Sequence, residues 1–219
     1  MRNLDQYNIT QAVIARFAQT PDPRLKEIMT SLVQHLHAFA REVKLTEAEW
    51  MQGIEFLTAT GQKCDDKRQE FILLSDTLGL SMLTVAMNND KPAGCTEATV
   101  FGPFHVEGAP HIELGGDVAQ GAKGQPCEVR GTVRGLDGAP VPHAHIEVWQ
   151  ADAEGKYDVQ RADCDAAQAR GVLQADAQGR YHFSSILAEA YPIPDDGPVG
   201  DMLKATKRHP WRPAHLHFL

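Results

Sequence analysis

Hydrophobic residues in roughly the first 90 positions recur with a helical period. Between Arg24 and Val43 the apolar side chains are spaced for one helix face: Leu25, Ile28, Met29, Leu32, Leu36 and Phe39. This spacing predicts an amphipathic helix. Asn8 and the capping box beginning at Thr46 predict helix starts on either side. A long apolar stretch from about Lys67 to Met87 predicts a fourth helix.

After about Thr96 the pattern changes to short runs of alternating residues separated by Gly and Asp turns. The predicted strands are Val129–Arg134, His145–Gln150 and Gly179–Phe183. Short strands with turns at such intervals are typical of an antiparallel β-sandwich. We therefore predict an α+β protein, with a helical linker region over residues 1–92 and a β-sandwich domain over residues 93–219.

The composition limits the cellular compartments and the kinds of partner that the sequence favours. The net charge of −8 argues against nucleic acid as a partner, and no apolar run reaches the roughly 18 residues of a membrane span. The N-terminus lacks the apolar core of a signal peptide. The cysteines are widely spaced, which favours free thiols in a reducing compartment: Cys64, Cys95, Cys127 and Cys164. These features predict a cytoplasmic protein.

The amphipathic helices must bury their apolar faces against the sandwich, a second copy of the chain, or a lipid. Ordinary core packing is the simplest interpretation. Dimerisation through this helical half is the addition that the pattern favours most, so we expect a homodimer, with lipid in the helical interface as an open possibility.

A His-x-His pair lies at the C-terminal end of the sequence. Residues two apart in a strand point to the same face, so His215 and His217 can supply half of a metal site. Taken alone, the pair can equally be structural. A second pair, His143 and His145, precedes a predicted strand, and we interpret it as a surface or sheet-face pair.

Two of the four tyrosines lie in unusual loops. Tyr157 follows Gly155 after a predicted strand, and Tyr191 opens a segment that its prolines make rigid. A phenol titrates near pH 10, but a trivalent cation can bind it as the phenolate. Two tyrosines with two histidines would suit non-haem Fe(III). The alternative is that both tyrosines are core aromatics.

Three linked segments resemble the intradiol ring-cleavage dioxygenases, over nearly the whole chain. They are Trp149-Gln150-Ala151-Asp152 with Gly155-x-Tyr157, Tyr191-Pro192-Ile193-Pro194 with Gly197-Pro198, and Arg212-Pro213-Ala214-His215-x-His217. The resemblance implies that Tyr157, Tyr191, His215 and His217 bind non-haem Fe(III), and that the substrates are a small aromatic diol and O2. It also implies a catalytic role for Tyr191, which leaves the metal and takes a substrate proton. Arg212 would stabilise carbanion character on the substrate, with a surface ion pair as its alternative.

Within the family, the chain most resembles the branch that cleaves hydroxyquinol (benzene-1,2,4-triol) to 3-hydroxy-cis,cis-muconate, which tautomerises to maleylacetate. The resemblance implies these substrate-binding residues: Leu73, Asp76, Val100, Phe101, Gly102, Pro103, Phe104, Pro192, Ile193, Pro194 and Arg212. Asp76 would accept a hydrogen bond from the third ring hydroxyl, unless it caps a turn or pairs with a cation. Cleavage of catechol or chlorocatechol is the alternative within the family.

Two other classes of function remain open at this point. Gly131 to Trp149 also resembles transthyretin-like sandwiches that bind without reacting, and a zinc hydrolase is disfavoured because no carboxylate accompanies the histidines. Family members continue beyond the His-x-His strand, so we expect a C-terminally truncated chain that lacks sandwich strands, with an inactive fragment as a further alternative.

Overall fold

The computed structural model describes residues 3–66, 68–161 and 166–219. The chain forms two compact units, Met1–Ala59 and Thr60–Leu219. No single helix among the described residues is long and apolar enough to cross a membrane. Only the bent pair of helices at Glu70–Thr77 and Leu80–Asn88 passes that test of length and composition, and only as a pair.

The first unit is helical, as predicted. Helix α1 (Ile9–Ile14) continues into a 3₁₀ turn at Ala15–Phe17, and α2 spans Pro23–Glu42. Helix α3 (Glu47–Gln62) begins in this unit and ends in the second. The predicted capping box is present, since the Glu49 amide donates to Thr46 Oγ1 (3.3 Å) and the Thr46 amide donates to Glu49 Oε2 (2.9 Å).

The apolar face of α2 is exposed in the single chain. Its side chains keep 46% to 55% of their surface accessible: Leu25, Ile28, Leu32, Leu36 and Phe39. A contiguous apolar patch of this kind on a protein surface usually marks an interaction site.

The long helix predicted from Lys67 to Met87 is wrong as a single element. Lys67 lies outside the described residues, and the rest forms α4 (Glu70–Thr77) and α5 (Leu80–Asn88), bent by 76°. The break falls at Gly79, whose φ of +79° lies in the left-handed region that interrupts a right-handed helix. The apolar periodicity continues across this break and therefore conceals it.

The described residues of the second half form three small antiparallel sheets. Strand β1 (Pro126–Thr132) pairs with β4 (Arg180–Ile186), and β2 (His145–Trp149) lies between β3 (Arg170–Gln174) and β7 (His217–Phe218). Strands β5 (Tyr191–Pro192) and β6 (Trp211–Arg212) form the third sheet, and α6 (Pro198–Ala205) lies between them in sequence. The predicted α+β class is confirmed. Strands β3, β5 and β6 and helix α6 were not predicted.

Strand β2 separates two buried clusters. Ile146 and Val148 belong to the main core, whose other buried members are Val118, Leu173, Ala175 and Phe183. Trp149 belongs to a second cluster with Ala151, Tyr157 and Tyr191. The main core thus supports one side of β2, while the other side carries the candidate site.

Three of the predicted free cysteines are thiols in the structure: Cys64, Cys95 and Cys127. Cys164 lies outside the described residues.

Truncating Leu173 should destabilise the sandwich strongly, because its side chain is fully buried in the main core. We expect Leu173→Ala to lower the free energy of unfolding by about 2–5 kcal/mol, measured by urea titration with circular dichroism. Leu136→Ala, at a side chain that is 61% exposed, serves as the control. Equal losses for the two variants would contradict the assignment of this core.

Candidate metal centre

Four potential metal-donor atoms converge in the second unit. The Tyr157 hydroxyl oxygen lies 3.3 Å from that of Tyr191, 3.4 Å from His215 Nε2 and 3.1 Å from His217 Nε2. The Tyr191 oxygen lies 3.3 Å from His215 Nε2. The structure therefore brings together all four residues that the sequence predicts as ligands.

These separations fit donors that share one ion. For metal–ligand bonds of about 2.1 Å, neighbouring donors lie about 3.0 Å apart at a right angle and about 3.4 Å apart at the tetrahedral angle. Among the described residues, no group of three His, Cys, Asp or Glu side chains could hold a metal. The four converging donors include two phenols, and hard oxygen donors of this kind favour a hard cation such as ferric iron.

A hydrogen bond orients the His215 imidazole. Its Nδ1 lies 2.7 Å from the Pro213 carbonyl oxygen, which can only accept, so Nδ1 carries the proton. The lone pair of Nε2 is then directed at the two phenols. This is the usual arrangement by which a backbone carbonyl fixes the tautomer of a metal-binding histidine.

Burial sets the protonation of the site. It lowers the pKa of His217 to about 4, with further contributions from His215 and Arg212, so this imidazole is neutral at pH 7. Burial also raises the pKa of Tyr157, and the neighbouring Tyr191 adds to this effect, whereas Arg212 and Arg170 oppose it. Without a cation the Tyr157 phenol keeps its proton, and a bound cation would displace it.

The two residues predicted to be catalytic, Tyr191 and Arg212, also lie next to each other. Strands β5 and β6 place Arg212 opposite Tyr191, and Arg212 Nη1 donates a hydrogen bond of 3.1 Å to the Tyr191 oxygen. The guanidinium carbon lies 5.8 Å from the centre of the Tyr191 ring. A fixed positive charge thus faces one phenol directly.

The structure explains why a glycine, Gly155, lies two residues before Tyr157. The Gly155 φ of +73° is left-handed, and a Cβ at this position would lie 2.5 Å from the Tyr191 Cβ. Only glycine meets both conditions, and its lack of a side chain lets the two tyrosine loops approach each other.

The segment of residues 100–104 brings several predicted substrate-binding residues next to Tyr157 and Trp149. The Phe104 ring stacks on Tyr157 with centroids 4.6 Å apart, and the Phe101 ring lies 6.5 Å from Trp149. Val100 and Gly102 are partly buried in the same segment and Pro103 is exposed. Gly102 allows the turn between the two phenylalanines with a φ of +75°.

The other predicted pocket residues lie on α4 and directly after Tyr191. Leu73 is partly buried, while Asp76 is exposed. Pro192 and Pro194 are exposed, and Ile193 between them is partly buried. A role of these residues in substrate binding stays a prediction.

Several residues that support the centre were not assigned from the sequence. Trp149 stacks flat on His217 with centroids 4.5 Å apart, and His105 meets the Trp149 ring edge-on at 4.8 Å. A buried ion pair joins Arg170 to Asp158, next to Tyr157. In the sequence, this ion pair is indicated only by a charged residue, Arg170, directly before the apolar run Gly171-Val172-Leu173. That pattern does not identify Asp158 as its partner.

The second His-x-His pair lies apart from the centre. His143 and His145 are exposed, as predicted, and His145 Nε2 lies 3.6 Å from Glu147 Oε1.

Comparison with known families agrees with this geometry. Residues 22–96 match the family model described as the catechol dioxygenase N terminus, and residues 100–219 match the one described as dioxygenase. The chain therefore belongs to the intradiol ring-cleavage dioxygenases, a family that uses non-haem iron.

Individual relatives resemble the chain over almost its full length. It is 70% identical to 6-chlorohydroxyquinol 1,2-dioxygenase of Cupriavidus pinatubonensis, covering 100% of this chain and 79% of the relative. It is 57% identical to hydroxyquinol 1,2-dioxygenase of Nocardioides simplex, covering 98% and 73%. The crystal structure of hydroxyquinol 1,2-dioxygenase from Pseudomonas putida DLL-E4 matches with a TM-score of 0.94 at 50% identity, covering 97% and 74%.

A methyl group at Gly155 should displace Tyr191 and weaken metal binding. We expect Gly155→Ala to reduce the iron retained per chain after dialysis, because the overlap with the Tyr191 Cβ adds to a backbone strain of about 1–3 kcal/mol. Gly138→Ala is a matched control, since Gly138 has a similar φ of +78° with no atom near its added Cβ. Full iron retention in Gly155→Ala would refute the steric argument.

Proposed function

We propose that this chain cleaves hydroxyquinol with O2 between its two adjacent hydroxyl groups, giving 3-hydroxy-cis,cis-muconate and, by tautomerisation, maleylacetate. Non-haem Fe(III) would be held by Tyr157, Tyr191, His215 and His217. The observation that carries the proposal is the convergence of these four donor atoms within 3.1–3.4 Å of one another along the measured pairs. The names of its relatives support the choice of substrate.

When bound, ferric iron supplies a Lewis acid that a diol can chelate through both oxygens and that activates the ring toward O2. The protein residues supply the rest. Tyr157 would provide a hard, anionic donor in a buried position, and His215 would provide Nε2 of an imidazole that the Pro213 carbonyl orients. Tyr191 would carry the proton chemistry, because its phenolate oxygen would be a base where the diol must lose its proton.

Arg212 serves two steps in this proposal. Its hydrogen bond to the Tyr191 oxygen would stabilise negative charge on that phenol and so support the role of Tyr191 as a base. Its guanidinium is permanently charged, so it also stabilises negative charge that develops on the ring carbon attacked by O2.

Substrate binding would use aromatic and polar walls. The Phe104 ring beside Tyr157 offers an apolar surface for the substrate ring, with Phe101 further along the same segment. The segment from Pro192 to Pro194 and Leu73 would complete the apolar wall, and Asp76 would accept the hydrogen bond of the third hydroxyl. Asp76 is exposed, so leaving its carboxylate without a hydrogen bond costs less free energy than it would at a buried site. We therefore expect Asp76 to discriminate only modestly between hydroxyquinol and catechol.

A chlorinated triol is a second candidate substrate. A relative that is 70% identical over 219 residues is named 6-chlorohydroxyquinol 1,2-dioxygenase, which supports this candidate. Both compounds have the same three hydroxyl groups, and one arrangement of Arg212 and Asp76 would serve both.

We also propose a homodimer through the N-terminal helices. The exposed apolar face of α2 supports this proposal, and a lipid chain in the helical interface would cover the same kind of surface. The three free thiols favour a reducing compartment, and we propose the cytoplasm.

Ferric reconstitution tests the metal and the substrate together. We expect a visible phenolate-to-iron charge-transfer band, and a kcat/KM for hydroxyquinol at least about tenfold above that for catechol, measured by oxygen uptake, which corresponds to about 1.4 kcal/mol. Tyr157→Phe should lose both the band and the activity, whereas Tyr181→Phe, at a partly buried tyrosine outside the centre, should keep both. A preference for catechol would contradict the substrate, and a colourless wild-type protein would contradict the cofactor.

Replacing Asp76 should separate the two substrates. We expect Asp76→Leu to lower kcat/KM for hydroxyquinol by about 3- to 30-fold, as one partly solvated hydrogen bond is worth about 0.5–2 kcal/mol, with catechol almost unaffected. The measurement is steady-state kinetics on both substrates. Equal losses on the two would show that Asp76 does not bind the third hydroxyl.

A further inference from the structure

Arg170 is a buried charge that the proposed reaction does not use. It is the first residue of β3, and its side chain is 4% exposed. A buried charge is costly unless it is paired and its hydrogen-bond donors are satisfied. The partners of this guanidinium therefore indicate what it does.

All of these partners adjoin Tyr157. Arg170 Nε donates to Asp158 Oδ2 over 2.7 Å and Nη2 donates to Oδ1, while Nη1 donates to the Phe104 carbonyl oxygen over 3.1 Å. Asp158 directly follows Tyr157 in the chain, and the Phe104 ring stacks on the Tyr157 ring. One planar group thus fixes the backbone beside the phenol and the aromatic ring that covers it.

Asp158 links this guanidinium to the rest of the loop. Its carboxylate also accepts the backbone amides of Val159 (2.9 Å) and Gln168 (3.1 Å). Burial opposes ionisation, yet the hydrogen bonds from Arg170 and these amides keep the pKa of Asp158 below its ordinary value. Through these hydrogen bonds the Arg170–Asp158 pair holds the loop that carries Tyr157.

The sheet connects the same residue to a second candidate ligand. Arg170 pairs with Trp149 across β3 and β2, and Trp149 pairs with His217 across β2 and β7. Directly paired residues have side chains on the same face of the sheet, and the Trp149 ring lies flat on the His217 imidazole. Arg170, Trp149 and His217 thus form one row across the sheet. Trp149 packs on His217, and Arg170 at the other end of the row holds the loop of Tyr157.

We propose that Arg170 is a positioning residue of the metal centre. Its hydrogen bonds to Asp158 and Phe104 hold the Tyr157 phenol at the distance from His215 and His217 that one ion requires. This inference rests on the proposed function, because it assumes that these residues bind iron. A pair that only stabilised the fold would affect unfolding and leave the metal unchanged.

The test replaces both charges at once, because removing one leaves the other buried and unpaired. In Arg170→Met/Asp158→Asn, the Asn carbonyl can still accept one of the two loop amides, which bind different carboxylate oxygens, and the thermal midpoint reports any loss of stability. The matched control is Arg180→Met/Asp176→Asn, an exposed pair in which Asp176 likewise accepts two backbone amides. Both proteins are compared with wild type for ferric affinity by chelator competition, the visible charge-transfer band, and the thermal midpoint without iron.

We expect the Arg170 double variant to bind ferric iron about 10- to 100-fold more weakly, a typical loss when a residue that orients a metal ligand is removed. Its charge-transfer band should also move in wavelength, while the control matches wild type in both. Arg170→Lys should not restore either property, since a lysine cannot form the planar bidentate contact and reach Phe104 as well.

Two results would overturn the inference in different ways. If wild type shows the band and the Arg170 double variant matches it in affinity and wavelength, Arg170 does not position the centre, even if the thermal midpoint falls. If wild type acquires no band at all, the proposed function is wrong and this inference falls with it.

Discussion

The constraint on which the rest of this structure depends is that four polar donor atoms must be held within one small volume. Tyr157 is 1% exposed and Tyr191 is 7% exposed, so their hydroxyls can rely little on water. They face each other and two imidazole nitrogens, and burial keeps His217 neutral. A cation would satisfy all of these groups at once, which is why this arrangement favours a metal centre over a polar cluster that serves only the fold.

Rigid strands position this cluster, although its four residues lie in two-residue strands or in loops. The main core packs against Ile146 and Val148 on one side of β2, and Trp149 supports His217 on the other. Loops held by a rigid scaffold are the usual location for binding residues. Gly155 then lets the two tyrosine loops meet at a separation that any side chain would prevent.

Sequence alone could predict which four residues converge because each lies in a compact local motif, and periodicity was enough to separate the helical from the sheet half. It could not show that Gly79 breaks a helix, because the apolar spacing runs through the break. Strands of two residues, such as Tyr191–Pro192, are too short to show any period. The contact between Arg170 and Asp158 joins a strand to a loop twelve positions away, and its position beside Trp149 depends on a register that only the folded sheet defines.

The two tyrosines differ in a way that supports distinct roles. The Tyr157 amide donates to Gln160 Oε1 (3.0 Å), its ring is stacked on Phe104, and the adjacent Asp158 is bound to Arg170. Tyr191 lies in a strand of two residues, and its oxygen receives a hydrogen bond from Arg212. A phenol held on three sides is suited to remain on a metal throughout a reaction. A phenol whose negative charge has a second partner can leave the metal at a smaller cost, so the proposed division of labour between a permanent ligand and a departing base follows from the packing around each ring.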